Sequence, residues 1–198
     1  YDNTLILFTS DNGAWWEGSN GSSRGKKGSS WDRAYRVGLL ASWPRRLQGA
    51  VRTKQLSNNT DLLPTIAAAA GVALPTNRVI DGRNLLPALI SPSKTPKERR
   101  YFYYFNNEEL VGIRDRHWKL LRRIHYRRHL GALDKFDQLP EFREPYWLLF
   151  DMRDPDPERY SMAREHPEIV SRLRDELERA ERLFRIDAIR DRETTFPR

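Results

Sequence analysis

Two unbroken apolar runs, with no polar face, punctuate the first quarter of the chain. Thr4-Leu5-Ile6-Leu7-Phe8-Thr9 is rich in β-formers, the pattern of a strand buried on both sides. Val37-Gly38-Leu39-Leu40-Ala41-Ser42-Trp43 repeats it and is closed by Pro44. From Asn59 the period turns helical. Thr60 or Asp61 can cap that helix, Pro64 is tolerated in its first turn, and Gly71 ends it. Leu62, Leu63, Ile66 and Ala70 fall on one stripe, which is expected to pack on a sheet. Asp81-Gly82 then makes a turn into a short helix ending near Ile90.

Ser91-Pro92-Ser93-Lys94-Thr95-Pro96-Lys97 reads as a linker, polar with two prolines. Beyond it the pattern changes. Arg100-Tyr101-Phe102-Tyr103-Tyr104-Phe105, Glu109 to Arg114, His117 to Arg122 and Trp147 to Asp151 read as four strands of an antiparallel meander. Pro167 opens a helix in which Ile169, Val170, Leu173, Leu177, Ala180 and Phe184 recur at helical spacing. The expected division is therefore an α/β part over 1–93 and a small α+β part over 94–198, a meander covered by one helix.

Charge changes the picture only in part. The 198 residues hold 35 Lys and Arg against 27 Asp and Glu, a formal net charge of +8. That balance suits anionic partners such as sulfated glycans, nucleic acid or acidic membrane, and equally a chain that is basic throughout. Basic residues from Lys97 to Arg128 alternate with aromatics, as in some nucleic-acid faces. A meander with one apolar and one solvated face accounts for them better, so no nucleic-acid partner is expected. His125 and His129 share a face only if helical and do not make a metal site alone. The absence of cysteine excludes a disulfide framework and any thiolate metal site. No apolar run approaches the roughly 20 residues of a membrane span.

Candidate chemistry gathers after the first run, at Ser10-Asp11-Asn12-Gly13. The triplet Asp11-Asn12-Gly13 is either a plain turn, with Gly13 permitting unusual backbone, or a pair of oxygen ligands for one hard cation at a strand end. Trp15 and Trp16 follow in a polar loop, as a stacking rim for sugar rings or as packing beneath it. Arg24 to Gly28 then brings three positive charges and two glycines together, so side chains and backbone N–H groups can approach an anion.

Read as a set, Thr9-Ser10-Asp11-Asn12-Gly13, Ser23-Arg24-Gly25-Lys26-Lys27-Gly28-Ser29-Ser30-Trp31-Asp32, Tyr35-Arg36-Val37 and Ser42-Trp43-Pro44 resemble the sulfatase family. Asp61-Leu62-Leu63-Pro64-Thr65, the Asp81 turn, the Asp115 to Leu120 strand entry, Leu149-Phe150-Asp151 and His166-Pro167-Glu168 extend the resemblance to about Arg185. It implies the C-terminal part of a sulfatase-type mixed-sheet domain followed by an α+β subdomain. It further implies Asp11 and Asn12 as ligands of a divalent cation, Ca²⁺ or alternatively Mg²⁺, and Lys27 as the lysine that binds the sulfate group. Lys26 stands where the family usually has glycine.

The chain departs from the family in several places. Asp32 stands for a usual Glu, Arg33-Ala34 for a glycine pair, Gly38 for a proline, and Glu158-Arg159-Tyr160-Ser161 for Glu-x-x-Asn-Leu. The formylglycine motif Cys/Ser-x-Pro-x-Arg is absent and is expected upstream, so the isolated chain is expected to be inactive and poorly soluble. The resemblance implies a sulfuric-ester hydrolase acting on a sulfate ester such as a sulfated glycan, in a periplasmic, secreted or lysosomal setting. The alternatives are a non-catalytic anion-binding remnant and a related phosphoryl or phosphonate hydrolase.

Overall fold

A computed structural model describes residues 1–15, 17–19, 21, 24–47, 49, 52–53, 55–91, 100–106, 109–122 and 146–195. The expected linker (92–97), Trp16, His125 and His129 lie outside the described residues. Helices and two antiparallel sheets make an α/β fold that divides into two compact units. One comprises Tyr1–Asp11 and Val37–Arg99, the other Asn12–Arg36 and Arg100–Arg198. The second unit thus takes in a stretch of sequence that precedes it by more than sixty residues.

In the first unit, β1 (Ile6–Phe8) and β2 (Leu40–Ser42) form a two-stranded antiparallel ribbon, with Leu7 opposite Ala41. Burial on both sides is not observed: Ile6, Phe8 and Leu40 are exposed. Each strand has one partner among the described residues, and no layer of them covers the outer face. A 3₁₀ turn (Asn59–Asp61) leads into helix α2 (Leu62–Ala70), which Gly71 ends in the left-handed conformation. Asp61 stands at the N-cap position of α2 but makes no side-chain cap bond there; the side-chain cap belongs to the 3₁₀ turn and is Asn58, whose oxygen accepts the Thr60 N–H at 2.8 Å.

Asp61 instead works as the reciprocal partner of a capping box, accepting the Asn58 N–H at 2.9 Å. Its other carboxylate oxygen accepts the Arg83 N–H at 2.7 Å, which ties the loop before α3 (Leu86–Ile90) to the start of α2. Thr65 completes the tie by accepting the Leu85 N–H at 2.9 Å. The buried face of α2 is therefore Pro64 and Thr65, not the apolar stripe; Leu63 and Ile66 are exposed. Hydrogen bonds to the 82–86 loop turn that polar face inward, and Ile66, Ala69 and Ala70 line an open groove with Leu5, Leu7 and Trp43.

The second unit is built on the meander β3 (Phe102–Asn106), β4 (Glu109–Arg114), β5 (Trp118–Leu121) and β6 (Leu148–Asp151), in that order. Helix α4 (Pro167–Thr195) packs on one face. Ile113 pairs with Leu120, and Leu120 with Leu149, giving an apolar row that meets Leu173, Leu177 and Ala180 of the helix. Leu120, Leu149, Leu173 and Leu177 are fully buried, each contributing on the order of 2 kcal/mol by transfer from water. Four strands and a covering helix match the sequence pattern closely.

The other face departs from it. A solvated face is expected there, yet Tyr104, Lys119, Leu121 and Phe150 are buried. The segment that covers them is 24–36, with Trp31 packed on Phe150 and Leu121.

Candidate anion loop and its support

The loop from Asn12 to Arg36 closes on itself before it meets the sheet. The Gly13 N–H donates to Ala34 O at 2.9 Å and the Lys27 N–H to Ala14 O at 3.0 Å. Gly13 is required for close approach rather than for an unusual turn. Its φ is not positive, but a Cβ there would fall 1.7 Å from Arg33 O. Gly25 does sit at φ +97°, where a Cβ would lie 2.3 Å from that of Trp31. Ser29 braces the tip, its hydroxyl donating to Lys26 O at 2.8 Å.

The two loop lysines part company. The Lys26 ammonium donates to Gly18 O, which holds it within the loop. Lys27 is exposed, and among the described residues its ammonium has no hydrogen-bond or ion-pair partner.

Asp11 ends a segment of the first unit and Asn12 begins the second. Ser10 Oγ donates to Asp11 Oδ1 at 3.3 Å, and Asn59 Nδ2 donates to Ser10 O at 3.1 Å and to Asp11 O at 3.4 Å. Asn59 is a support that the sequence pattern did not single out. The Asn12 amide nitrogen donates to Gly13 O at 2.9 Å. An asparagine ligates a cation through Oδ1, so a nitrogen engaged elsewhere fits that role, as does the hard-oxygen chemistry of Asp11. The two supply a fraction of the about six to eight oxygens that Ca²⁺ takes. Among the described residues no group of three or more His, Cys, Asp or Glu is placed to hold a metal. Trp15 is half-buried, and its carbonyl accepts the Gly18 N–H at 3.1 Å.

Just downstream of Lys27 the loop is fastened by a buried charge cluster. Asp32, at the start of helix α1 (Asp32–Tyr35), accepts Tyr104 Oη–H at 2.8 Å and Arg114 Nη1–H at 2.7 Å. Its backbone N–H donates to both carboxylate oxygens of Glu158, at 2.9 and 3.1 Å. Lys119 Nζ donates to Glu158 Oε1 at 2.6 Å and to Ser30 O at 2.8 Å, and lies 4.0 Å from the centre of the Tyr104 ring. Arg24 reaches Glu158 O at 3.2 Å and stacks 4.6 Å from the Trp31 ring centre. At its centre Arg114 and Lys119 face Asp32 and Glu158, four charges that sum to zero, while Arg24 and Arg36 (3.8 Å from Asp32) approach from the rim.

Their ionisation reflects the site. Burial raises Asp32, but Arg114, Lys119 and the Tyr104 hydroxyl outweigh it and hold the carboxyl below its ordinary value. For Glu158 and Lys119 burial wins over their mutual attraction, lifting the acid and lowering the amine. Glu158 also holds φ +70°, a left-handed backbone rare outside glycine. In the sequence Asp32 stands out only as a departure from the family, Glu158 only as the retained Glu of a departing segment, and Lys119 only within a strand and a basic run. The signal available was that each sits inside a motif of the resemblance.

The family model described as Sulfatase matches residues 1–72, the span that holds Asp11, Asn12, Lys27 and Asp32. Human steryl-sulfatase is 38% identical over 115 residues, covering 53% of this chain and 20% of that protein. Among solved structures, Ps i-CgsB superposes with a TM-score of 0.70 at 28% identity, covering 91% of this chain and 37% of that one. BT4656, solved with its substrate D-glucosamine-2-N,6-O-disulfate, superposes with a TM-score of 0.63 at 25% identity, covering 93% and 35%. The chain spans about a fifth of the length of the curated relatives it matches.

Proposed function

From its membership of the sulfatase family over the matched span, we propose that this chain supplies the sulfate-binding lysine and two metal ligands of a sulfuric-ester hydrolase. One observation carries the reading. Of two adjacent lysines in the matched loop, Lys26 is tied to the backbone and Lys27 is left exposed on a braced tip. An ammonium held that way offsets charge on a bound sulfate without transferring a proton. The family position and the exposed position coincide at Lys27.

Asp11 and Asn12 would hold the divalent cation, Ca²⁺ or Mg²⁺, which when bound polarises a sulfate oxygen as a Lewis acid. Trp15 would form part of a rim against a sugar ring. Sulfate-ester hydrolysis belongs in this reading to the longer protein. A sulfated sugar is the substrate class we favour, because a neighbour of the same fold was solved with one.

Titration with inorganic sulfate and with Ca²⁺ tests the two halves separately. Lys27→Ala is expected to weaken sulfate binding about tenfold, the loss of one charge-assisted contact. In the full-length enzyme, where the remaining ligands are present, Asp11→Ala is expected to abolish Ca²⁺ binding and leave the fold intact. Sulfate affinity unchanged in Lys27→Ala, or Ca²⁺ stoichiometry retained in Asp11→Ala, would overturn the corresponding half.

A further inference from the structure

We infer that Lys119 and Glu158 are positioning residues for Lys27, a role that rests on reading Lys27 as the sulfate-binding lysine. Neither touches the anion site. They act on the backbone on its downstream side, at Ser30 O and Asp32 N, three and five residues beyond Lys27.

Three observations point to positioning rather than simple packing. The contacts are to main-chain atoms, so they fix the path of the chain and not only its burial. They are also made by charged groups at 0% and 3% exposure, where an apolar pair of the same size would serve packing as well or better. Finally, Glu158 adopts a strained left-handed backbone, and its carbonyl also holds Arg24 on the upstream side of the loop. One residue thereby grips both ends of the segment that presents Lys27. Between the grips, Ser29 and the Lys27 to Ala14 hydrogen bond carry the fixed geometry to the tip.

Amide hydrogen exchange in the full chain tests this without requiring turnover. The variant Glu158→Leu with Lys119→Met removes both charges together and leaves neither partner unpaired. Exchange at the Lys27 amide is expected to quicken about tenfold, while the Arg122 amide, bonded to Val111 O within the sheet, keeps its rate. The milder Glu158→Gln with Lys119→Met retains an acceptor for Asp32 N and is expected to quicken Lys27 exchange about threefold. An unchanged Lys27 rate in a folded variant overturns the inference. So does equal acceleration at Lys27 and Arg122, which would mean general loss of stability.

Inorganic sulfate titration of the same proteins is expected to follow exchange, with affinity falling most in the Leu/Met variant. Affinity that does not change while exchange quickens also overturns positioning. If Lys27→Ala leaves sulfate binding untouched, the anion-site reading fails instead, and the exchange result still reports on the loop.

Discussion

Arg114 and Asp32, 82 residues apart in sequence, meet at 2.7 Å beneath the loop that carries Lys27. The sheet register explains why a carboxylate is needed there. Arg114 lies directly opposite Lys119 on neighbouring strands, so two cations project side by side from one face. Like charges in that arrangement repel. Asp32 and Glu158, brought from different segments, restore neutrality and fasten the loop in the same contacts.

Asp32→Asn should therefore cost about 3 kcal/mol of stability, because it leaves Arg114 and Lys119 with one carboxylate between them in a buried site. Urea unfolding monitored by tryptophan fluorescence measures it. A midpoint equal to wild type would mean that the cluster contributes nothing net.

Acid should loosen the second unit in a defined window. Burial raises the Asp115 carboxyl, but N–H bonds from Trp118 and His117 and the Arg172 guanidinium prevail and hold it below the ordinary 3.8. Asp32 is lowered likewise. A folded pKa below the unfolded one gives stabilisation that is complete above the unfolded value and lost as pH falls through the folded one. Stability should thus fall on acidification below about pH 4. Asp115→Asn should flatten that limb in urea titrations at stepped pH; an unaltered limb would assign the loss elsewhere. Glu158, raised by burial, contributes with the opposite sign, its ionisation costing stability as pH rises through its folded value.

Gly25→Ala should disorder the loop while sparing the meander. At φ +97° an added Cβ meets the Trp31 Cβ at 2.3 Å, a strain of about 2 kcal/mol or more. Near-ultraviolet circular dichroism should lose its Trp31 contribution, with the far-ultraviolet spectrum retained. An intact near-ultraviolet signal would show that the loop can absorb the methyl group.

Asp61→Ala should destabilise the first unit by about 2 kcal/mol, since the backbone N–H groups of Asn58 and Arg83 both lose their acceptor, a carboxylate that is itself fully buried. Exchange at those two amides is the direct measurement. Asp61→Asn, which keeps one acceptor oxygen, should lose about half as much.

What the sequence determined by itself was local. The meander strands, the helix begun by Pro167 and the stop at Gly71 follow from period, β-propensity and backbone stereochemistry, all properties of a few consecutive residues. The candidate anion loop was legible for the same reason, as a short run of charge and glycine. Which lysine of the pair stays exposed was not, because Gly18 O captures Lys26 only in the folded loop. Nor was the inward polar face of α2, which Arg83 and Leu85 select by donating to Asp61 and Thr65 from twenty residues away or more. Lys119 reads as one charge of a basic run on a solvated face and Glu158 as part of a motif, and only tertiary structure buries them together. A buried charge is stable only with its partner in place, and partners 39 residues apart are chosen by the path of the chain through space, not by neighbouring sequence.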